Sequence, residues 1–156
     1  MEILNEENKR KFCYDYPMPA IASDVIVISK VQNLNYILLI QRLNDPYKGY
    51  WCLPGGFMEI NEKIIDTAKR ELFEETNLLL NDLTFFSYYD SINRDPRGRV
   101  ISFVFYTILN YIPNNICAKD DAKTIDWFML PLNDNIKLAF DHNNIINDFL
   151  YKVLYK

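Results

Sequence analysis

The sequence predicts a single domain of mixed α/β class. Its 156 residues suit one domain, and 49% apolar residues suffice for a sizeable core. Short apolar runs with strand character accompany one clearly helix-periodic segment. No repeat, low-complexity tract or linker divides the chain, so residues 1–156 read as one unit.

Taken in order, residues 1–19 are polar, then proline-punctuated, and Tyr16-Pro17-Met18-Pro19 reads as an extended entry segment. The run 20–29 (AIASDVIVIS) predicts a strand with a buried centre. Residues 33–35 predict a turn and 36–42 (YILLIQR) the returning strand. Asn44-Asp45-Pro46 and Lys48-Gly49 mark a loop before Tyr50-Trp51-Cys52-Leu53. Residues 62–76 predict a helix of about four turns. Its core face is Ile64, Ile65, Ala68 and Leu72, with Asn61 placed to cap its start and Asn77 suited to a left-handed terminus. Residues 83–89 and Val100–Leu109 predict two strands flanking a charged loop. A short strand at 125–130 and a C-terminal helix at 143–154 complete the series.

Seventeen Lys plus Arg against 21 Asp plus Glu give a net charge of −4, which argues against a mainly electrostatic nucleic-acid binder. No apolar run approaches the roughly 20 residues of a membrane span. The N-terminus MEILNEENKRKF lacks the apolar core of a signal peptide. Cys13, Cys52 and Cys117 are odd in number and form no CxxC pair, which suits a reduced, cytoplasmic chain. The four glycines, Gly49, Gly55, Gly56 and Gly98, all lie outside the periodic segments. Glycine used so sparingly marks places where backbone must turn or approach a ligand closely.

The helix carries Arg70-Glu71-Leu72-Phe73-Glu74-Glu75. At about 100° per residue, Glu71, Glu74 and Glu75 share one stripe, where like charges repel. A solvated acidic face and a cation site are equally compatible with that helix alone. The adjoining Leu53-Pro54-Gly55-Gly56-Phe57, read as a tight glycine-dependent loop beside the carboxylates, favours a cation such as Mg²⁺ held by oxygen ligands.

Gly56, Glu62, Arg70, Glu71, Leu72, Glu74, Glu75 and Leu78 together match the box G-x5-E-x7-R-E-U-x-E-E-x-G-U, with U apolar. The stretch 56–78 (GFMEINEKIIDTAKRELFEETNL) thus resembles the Nudix box, departing only at Asn77, where the family has glycine. Asn is the usual substitute at a left-handed position. The resemblance implies a mixed sheet sandwiched between helices (α/β/α) and hydrolysis of a nucleoside diphosphate linked to another group, with Mg²⁺ or Mn²⁺. It implies Glu71 and Glu75 as metal ligands, Glu74 as a further ligand or water orienter, and the Gly56 carbonyl completing the shell. Glu62 and Arg70 would form a structural ion pair, beside the structural Gly55. An additional acid outside the box is expected at Asp120 or Asp121, with Asp121 preferred as the catalytic residue.

Further segments resemble the ADP-ribose pyrophosphatase branch of that family: Tyr16-Pro17 with Pro19-Ala20, Tyr47-Lys48-Gly49-Tyr50-Trp51, Arg94-Asp95-Pro96-Arg97-Gly98-Arg99, Asp120-Asp121-Ala122 and Leu138-Ala139-Phe140-Asp141-His142. Arg94 and Arg97 suit bidentate phosphate capture, and Arg42 at a strand end is a further phosphate contact. Tyr16, Tyr50, Trp51 and Phe57 are candidates for stacking on adenine, with Trp51 and Tyr16 foremost. His142, beside Asp141 at a helix start, is expected to cap or face solvent.

The implied activity is hydrolysis of ADP-ribose, a small-molecule nucleotide, to AMP and ribose 5-phosphate. Alternatives are another nucleotide (an oxidised nucleoside triphosphate, NADH or a dinucleoside polyphosphate) and an ADP-ribose-sensing regulatory domain. The intact carboxylate series, and a chain that ends directly after its last helix, speak against the regulator. Many relatives of the branch are homodimers, and the same is expected here, with neither nucleic acid nor membrane as partner.

Overall fold

The computed structural model describes residues 14–119 and 122–156, and the backbone alone of Glu2–Leu4 and Arg10–Phe12. These two short strands, β1 and β2, pair antiparallel where the sequence predicts only an extended entry. Ten further elements follow: β3 (Ala20–Val31), β4 (Leu34–Arg42), β5 (Trp51–Cys52), β6 (Gly55–Phe57), α1 (Ile64–Thr76), β7 (Thr84–Tyr89), β8 (Val100–Leu109), β9 (Ala122–Met129), α2 (His142–Phe149) and a π-helical turn, Leu150–Leu154.

β3 organises the sheet. It pairs antiparallel with β4 and β6 and parallel with β8 from Ala20↔Val100 to Ser29↔Leu109. β4 continues to β5 and β9, and β7 closes the opposite edge against β8. Residues 22–29 of β3 are all buried because helices cover both faces. Strand alternation divides them. Val25 and Val27 meet Ala68 and Leu72 of α1, whereas Ile26 and Ile28 meet Ile145 and Phe149 of α2. The sheet is therefore the middle layer between two helices, as the predicted α/β/α architecture requires.

The hairpin turn falls at Gln32 and Asn33, one residue earlier than predicted, with φ of 51° and 64°. Two central residues with positive φ match the twist of the flanking strands, and the two-residue turn lengthens both strands. The glycine segment is a strand rather than a loop. Gly55 and Gly56 pair with Asp24 and Ser23 in the centre of the sheet.

Helix α1 begins two residues later than the spacing predicts, with Lys63 as N-cap and no side-chain cap bond. Asn61 therefore does not cap it. Glu62 instead receives hydrogen bonds from Thr67 Oγ1 (2.9 Å) and the Glu59 amide (3.1 Å), bracing the first turn from outside. At the other end Asn77 is left-handed (φ 62°), and its amide donates to Phe73 O at 2.8 Å. Its side chain also donates to Asn115 O and accepts from Lys119 Nζ. A Cβ in this conformation without those bonds is disfavoured by about 1–2 kcal/mol. Urea denaturation should show Asn77→Ala destabilised by about 1 kcal/mol, with Asn77→Gly about 0.5 kcal/mol or less from wild type.

Candidate active site

A cavity of about 300 Å³ opens between β6, the exposed side of α1, the 94–97 loop and the start of α2. One wall belongs to the box. Gly55 and Gly56 lie against Asp24 and the Glu71 carboxylate so closely that a Cβ at either would collide with them. The Gly55 amide donates to Glu75 Oε2 at 2.9 Å, and Glu75 is buried at 7% exposure. Glu71, also facing the cavity, has its carboxyl pushed up by burial, with Arg70 pulling the other way.

Arg70 ties this wall together. Its guanidinium donates to Glu62 Oε1 (2.5 Å) and Oε2 (3.0 Å), Glu71 Oε1 (2.7 Å), Glu74 Oε2 (2.9 Å) and the Phe57 carbonyl (3.1 Å). Those hydrogen bonds hold the Glu62 carboxyl down at about 2. Glu74 turns outward, its side chain 43% exposed.

The opposite wall is cationic. Arg42 donates from Nε to Pro46 O at 2.7 Å and stacks over Phe140, its Cζ 5.1 Å from the ring centroid. Arg97 donates to both oxygens of Asp95 and lies 4.8 Å from the Phe57 ring centroid and 5.4 Å from that of Phe140. The 43% exposure of its side chain leaves it open to the cavity mouth.

Arg94 is expected from sequence to capture phosphate, but its guanidinium is spoken for. Nε and Nη2 donate to the two oxygens of Asp141 at 2.9 and 2.7 Å, with the side chain only 4% exposed. Trp51 packs edge-on against Phe128 (centroids 4.6 Å apart) beside the α2-side core and does not line the cavity. Tyr16 is 81% exposed, away from it. Tyr50 contacts Tyr47, and Phe57 is at the cavity edge. Asp120, Asp121 and Cys13 lie outside the described residues; Cys52 is free and buried, Cys117 free and exposed.

His142 neither caps nor faces solvent, contrary to expectation; the N-cap is Asp141. The imidazole is buried, its Nδ1 accepting from the Leu53 amide at 2.9 Å and its Nε2 3.7 Å from Asp24 Oδ1. Burial holds it below its ordinary value. Accepting at Nδ1 fixes the tautomer with the proton on Nε2, toward Asp24. The Ser102 hydroxyl also donates to Asp24. Asp24 is a site residue outside the sequence motifs, its one visible signal being a carboxylate inside the apolar run AIASDVIVIS.

Among the described residues, no three of His, Cys, Asp and Glu stand ready-made around a metal position. The donor set still fits a hard cation. Buried Glu75 and half-buried Glu71 face one cavity beside glycine backbone, and their carboxylate oxygens are the hard donors such an ion takes.

Fold and site define a class, and the comparisons agree. The NUDIX domain family matches residues 18–150, so the chain belongs to the Nudix family. It is 42% identical over 149 residues to an ADP-ribose pyrophosphatase of Methanocaldococcus jannaschii, covering 96% of this chain and 83% of that relative. It is 31% identical over 134 residues to the ADPR responsive transcriptional repressor NtrR of Acinetobacter baylyi, covering 85% of this chain and 53% of the repressor. A solved bifunctional NMN adenylyltransferase/ADP ribose pyrophosphatase of Francisella tularensis, in complex with AMP and a manganese ion, superimposes with a TM-score of 0.75 at 32% identity. That likeness covers 89% of this chain and 43% of that one.

Two stability outcomes follow from these pairings. Arg94→Ala, which strands Asp141 in a mostly buried pair, should cost about 3 kcal/mol in urea denaturation, and Arg97→Ala, which takes a half-exposed partner from the buried Asp95, about 1–3 kcal/mol. Glu62→Gln should cost about 1–3 kcal/mol at pH 7. Glu62 titrates near 4.5 when unfolded and about 2 when folded, so its contribution is complete above 4.5 and lost as pH falls toward 2. The gap between wild type and Glu62→Gln should therefore narrow between pH 5 and about pH 2 in denaturation series.

Proposed function

We propose that this chain hydrolyses ADP-ribose to AMP and ribose 5-phosphate, acting as one domain of residues 1–156 with Mg²⁺ or Mn²⁺. The observation that carries the reading is the opposed pair of walls: half-buried Glu71 and buried Glu75 on one side, Arg42 and Arg97 on the other, around a cavity of about 300 Å³. That volume lies at the lower end for small-molecule sites. The M. jannaschii pyrophosphatase, matching nearly the whole chain, supports the choice of substrate.

When bound, a divalent cation would offset phosphate charge and lower the pKa of a coordinated water. Glu71, Glu75 and the Gly56 carbonyl would hold it, with Glu74 able to join from the outer side once it leaves Arg70. Gly55 fixes the Glu75 carboxylate through its amide, so the carboxylate is oriented before substrate arrives. Arg42 and Arg97 receive the diphosphate oxygens, and Arg94 supports the start of α2 from behind. Water adds to one phosphorus, the bridging P–O bond breaks, and the released phosphate oxygen takes a proton. Glu75 or Asp121 accepts the proton of the attacking water. Trp51, packed on Phe128, and the exposed Tyr16 stand outside this cavity, so the reading gives neither of them a diphosphate contact. The reading includes a homodimer and a cytoplasmic setting, in keeping with free cysteines and the lack of a helix long and apolar enough to cross a membrane among the described residues.

The repressor relative gives a second reading, a sensor that binds ADP-ribose without turnover. The complete Glu71, Glu74 and Glu75 series favours hydrolysis. Chromatographic assay should detect AMP released from ADP-ribose with Mg²⁺ or Mn²⁺, and no AMP without a divalent ion. Glu75→Gln should lower turnover by at least about 100-fold with an unchanged circular dichroism spectrum. ADP-ribose binding with no turnover by wild type would favour the sensor.

A further inference from the structure

Five non-glycine residues among those described have positive φ. Gln32 and Asn33 form the hairpin turn and Asn77 ends α1, roles that account for their conformation. The other two are Tyr47 (φ 64°) and Phe140 (φ 54°). Bulky aromatic residues are genuine outliers there. They come from loops almost a hundred residues apart, yet their rings meet edge-on with centroids 4.9 Å apart.

Both backbones are held from either side. The Ala139 amide donates to Trp51 O (2.8 Å) and the His142 amide to Ala139 O (3.2 Å), so Phe140 is pinned between a sheet bridge and the start of α2. The Tyr50 amide donates to Tyr47 O (3.0 Å), and the Gly49 amide to Arg42 O (2.9 Å). Such over-determination lets a strained conformation persist, and strain of this kind gathers at ligand sites. What the two residues achieve is the placement of one ring. Phe140 lies beside both cavity arginines, with Arg42 and Arg97 at 5.1 and 5.4 Å from its centroid.

We propose that Phe140, held left-handed and buttressed by Tyr47, is a positioning residue that sets Arg42 and Arg97 as a paired clamp for a diphosphate. The two guanidiniums belong to elements far apart in sequence and repel each other. Asp95 and Phe57 hold Arg97 and the Pro46 carbonyl holds Arg42, while Phe140 is the ring that both meet. Its aromatic face draws both through cation–π attraction and leaves guanidinium N–H groups directed at anions. The clamp takes diphosphate oxygens whatever the groups esterified to them. Its assignment to ADP-ribose turnover rests on the function proposed above.

The test uses the full chain and the variants Phe140→Ala, Phe140→Gly and Phe140→Tyr. For ADP-ribose with Mg²⁺, Ala and Gly should raise KM about tenfold, more than they lower kcat, and Tyr should restore KM to within about threefold of wild type. Calorimetric titration with inorganic pyrophosphate, without added metal, should show binding to wild type and Phe140→Tyr and about tenfold weaker binding to the other two. Phe140→Gly, free of the strain, should melt roughly 2–4 °C above Phe140→Ala. Pyrophosphate affinity unchanged by Phe140→Gly, equally weak binding by Phe140→Tyr, or no binding by wild type would overturn the clamp. A Gly variant melting below Ala would overturn the strained placement. If wild type fails to hydrolyse ADP-ribose while pyrophosphate binding follows the ring, the clamp stands and the substrate reading falls.

Discussion

Arg70 is the interaction on which the box depends. Helix geometry puts Glu71 and Glu74 on the stripe that also carries Glu75, and Glu62 lies just before the helix. Without a counter-charge the repulsion would splay these side chains. One guanidinium meets Glu62, Glu71 and Glu74 and also reaches the Phe57 carbonyl, so it binds the end of β6 to the helix. It therefore does two jobs. It screens the carboxylates from each other, and it holds the glycine strand at the distance where Gly55 can donate to Glu75.

A second polar centre lies under the other side of the cavity. Asp24 sits in the middle of the central strand, where an unpaired carboxylate would be costly. Ser102 donates to it, the Nε2 of His142 is turned toward it, and the Arg94 guanidinium is 4.0 Å away. Each of these comes from a different element, so the network fixes the relative placement of β3, β8, the 94–97 loop and α2. Through the bond from the Leu53 amide to His142 it also fixes the approach to the glycines.

What the sequence disclosed follows from the range of each interaction. Periodicity within a few residues located β8 to the residue and α1 to within two, because core faces follow local repeats. The box residues were legible for a similar reason, since fixed spacing on a helix sets their relative position. Arg94 was not legible, because a bidentate partner 47 residues away decides whether an arginine is free for substrate or spent on structure. The burial of His142 is hidden from the local sequence for the same cause, its partner Leu53 lying 89 residues off. Phe140 gave no local hint of its left-handed backbone, which arises from contacts on both sides of it. The two-stranded pairing at the N-terminus is illegible because strands of three residues are too short to show alternation.

The parallel pairing of β3 with β8 also bears on how the cavity comes into being. Parallel neighbours cannot be joined by a tight turn, and here Ser23 meets Phe103, 80 positions further along the chain. Closing so long a loop costs entropy before any contact compensates, so this pairing belongs to the slow, high-contact-order part of folding. β6 and the box lie within that loop. The segment 56–78 can form its helix early, but Asp24 meets Ser102, and Arg97 faces the carboxylates, only when β8 docks. An isolated box would carry Glu71, Glu74 and Glu75 without the arginines that face them across the cavity.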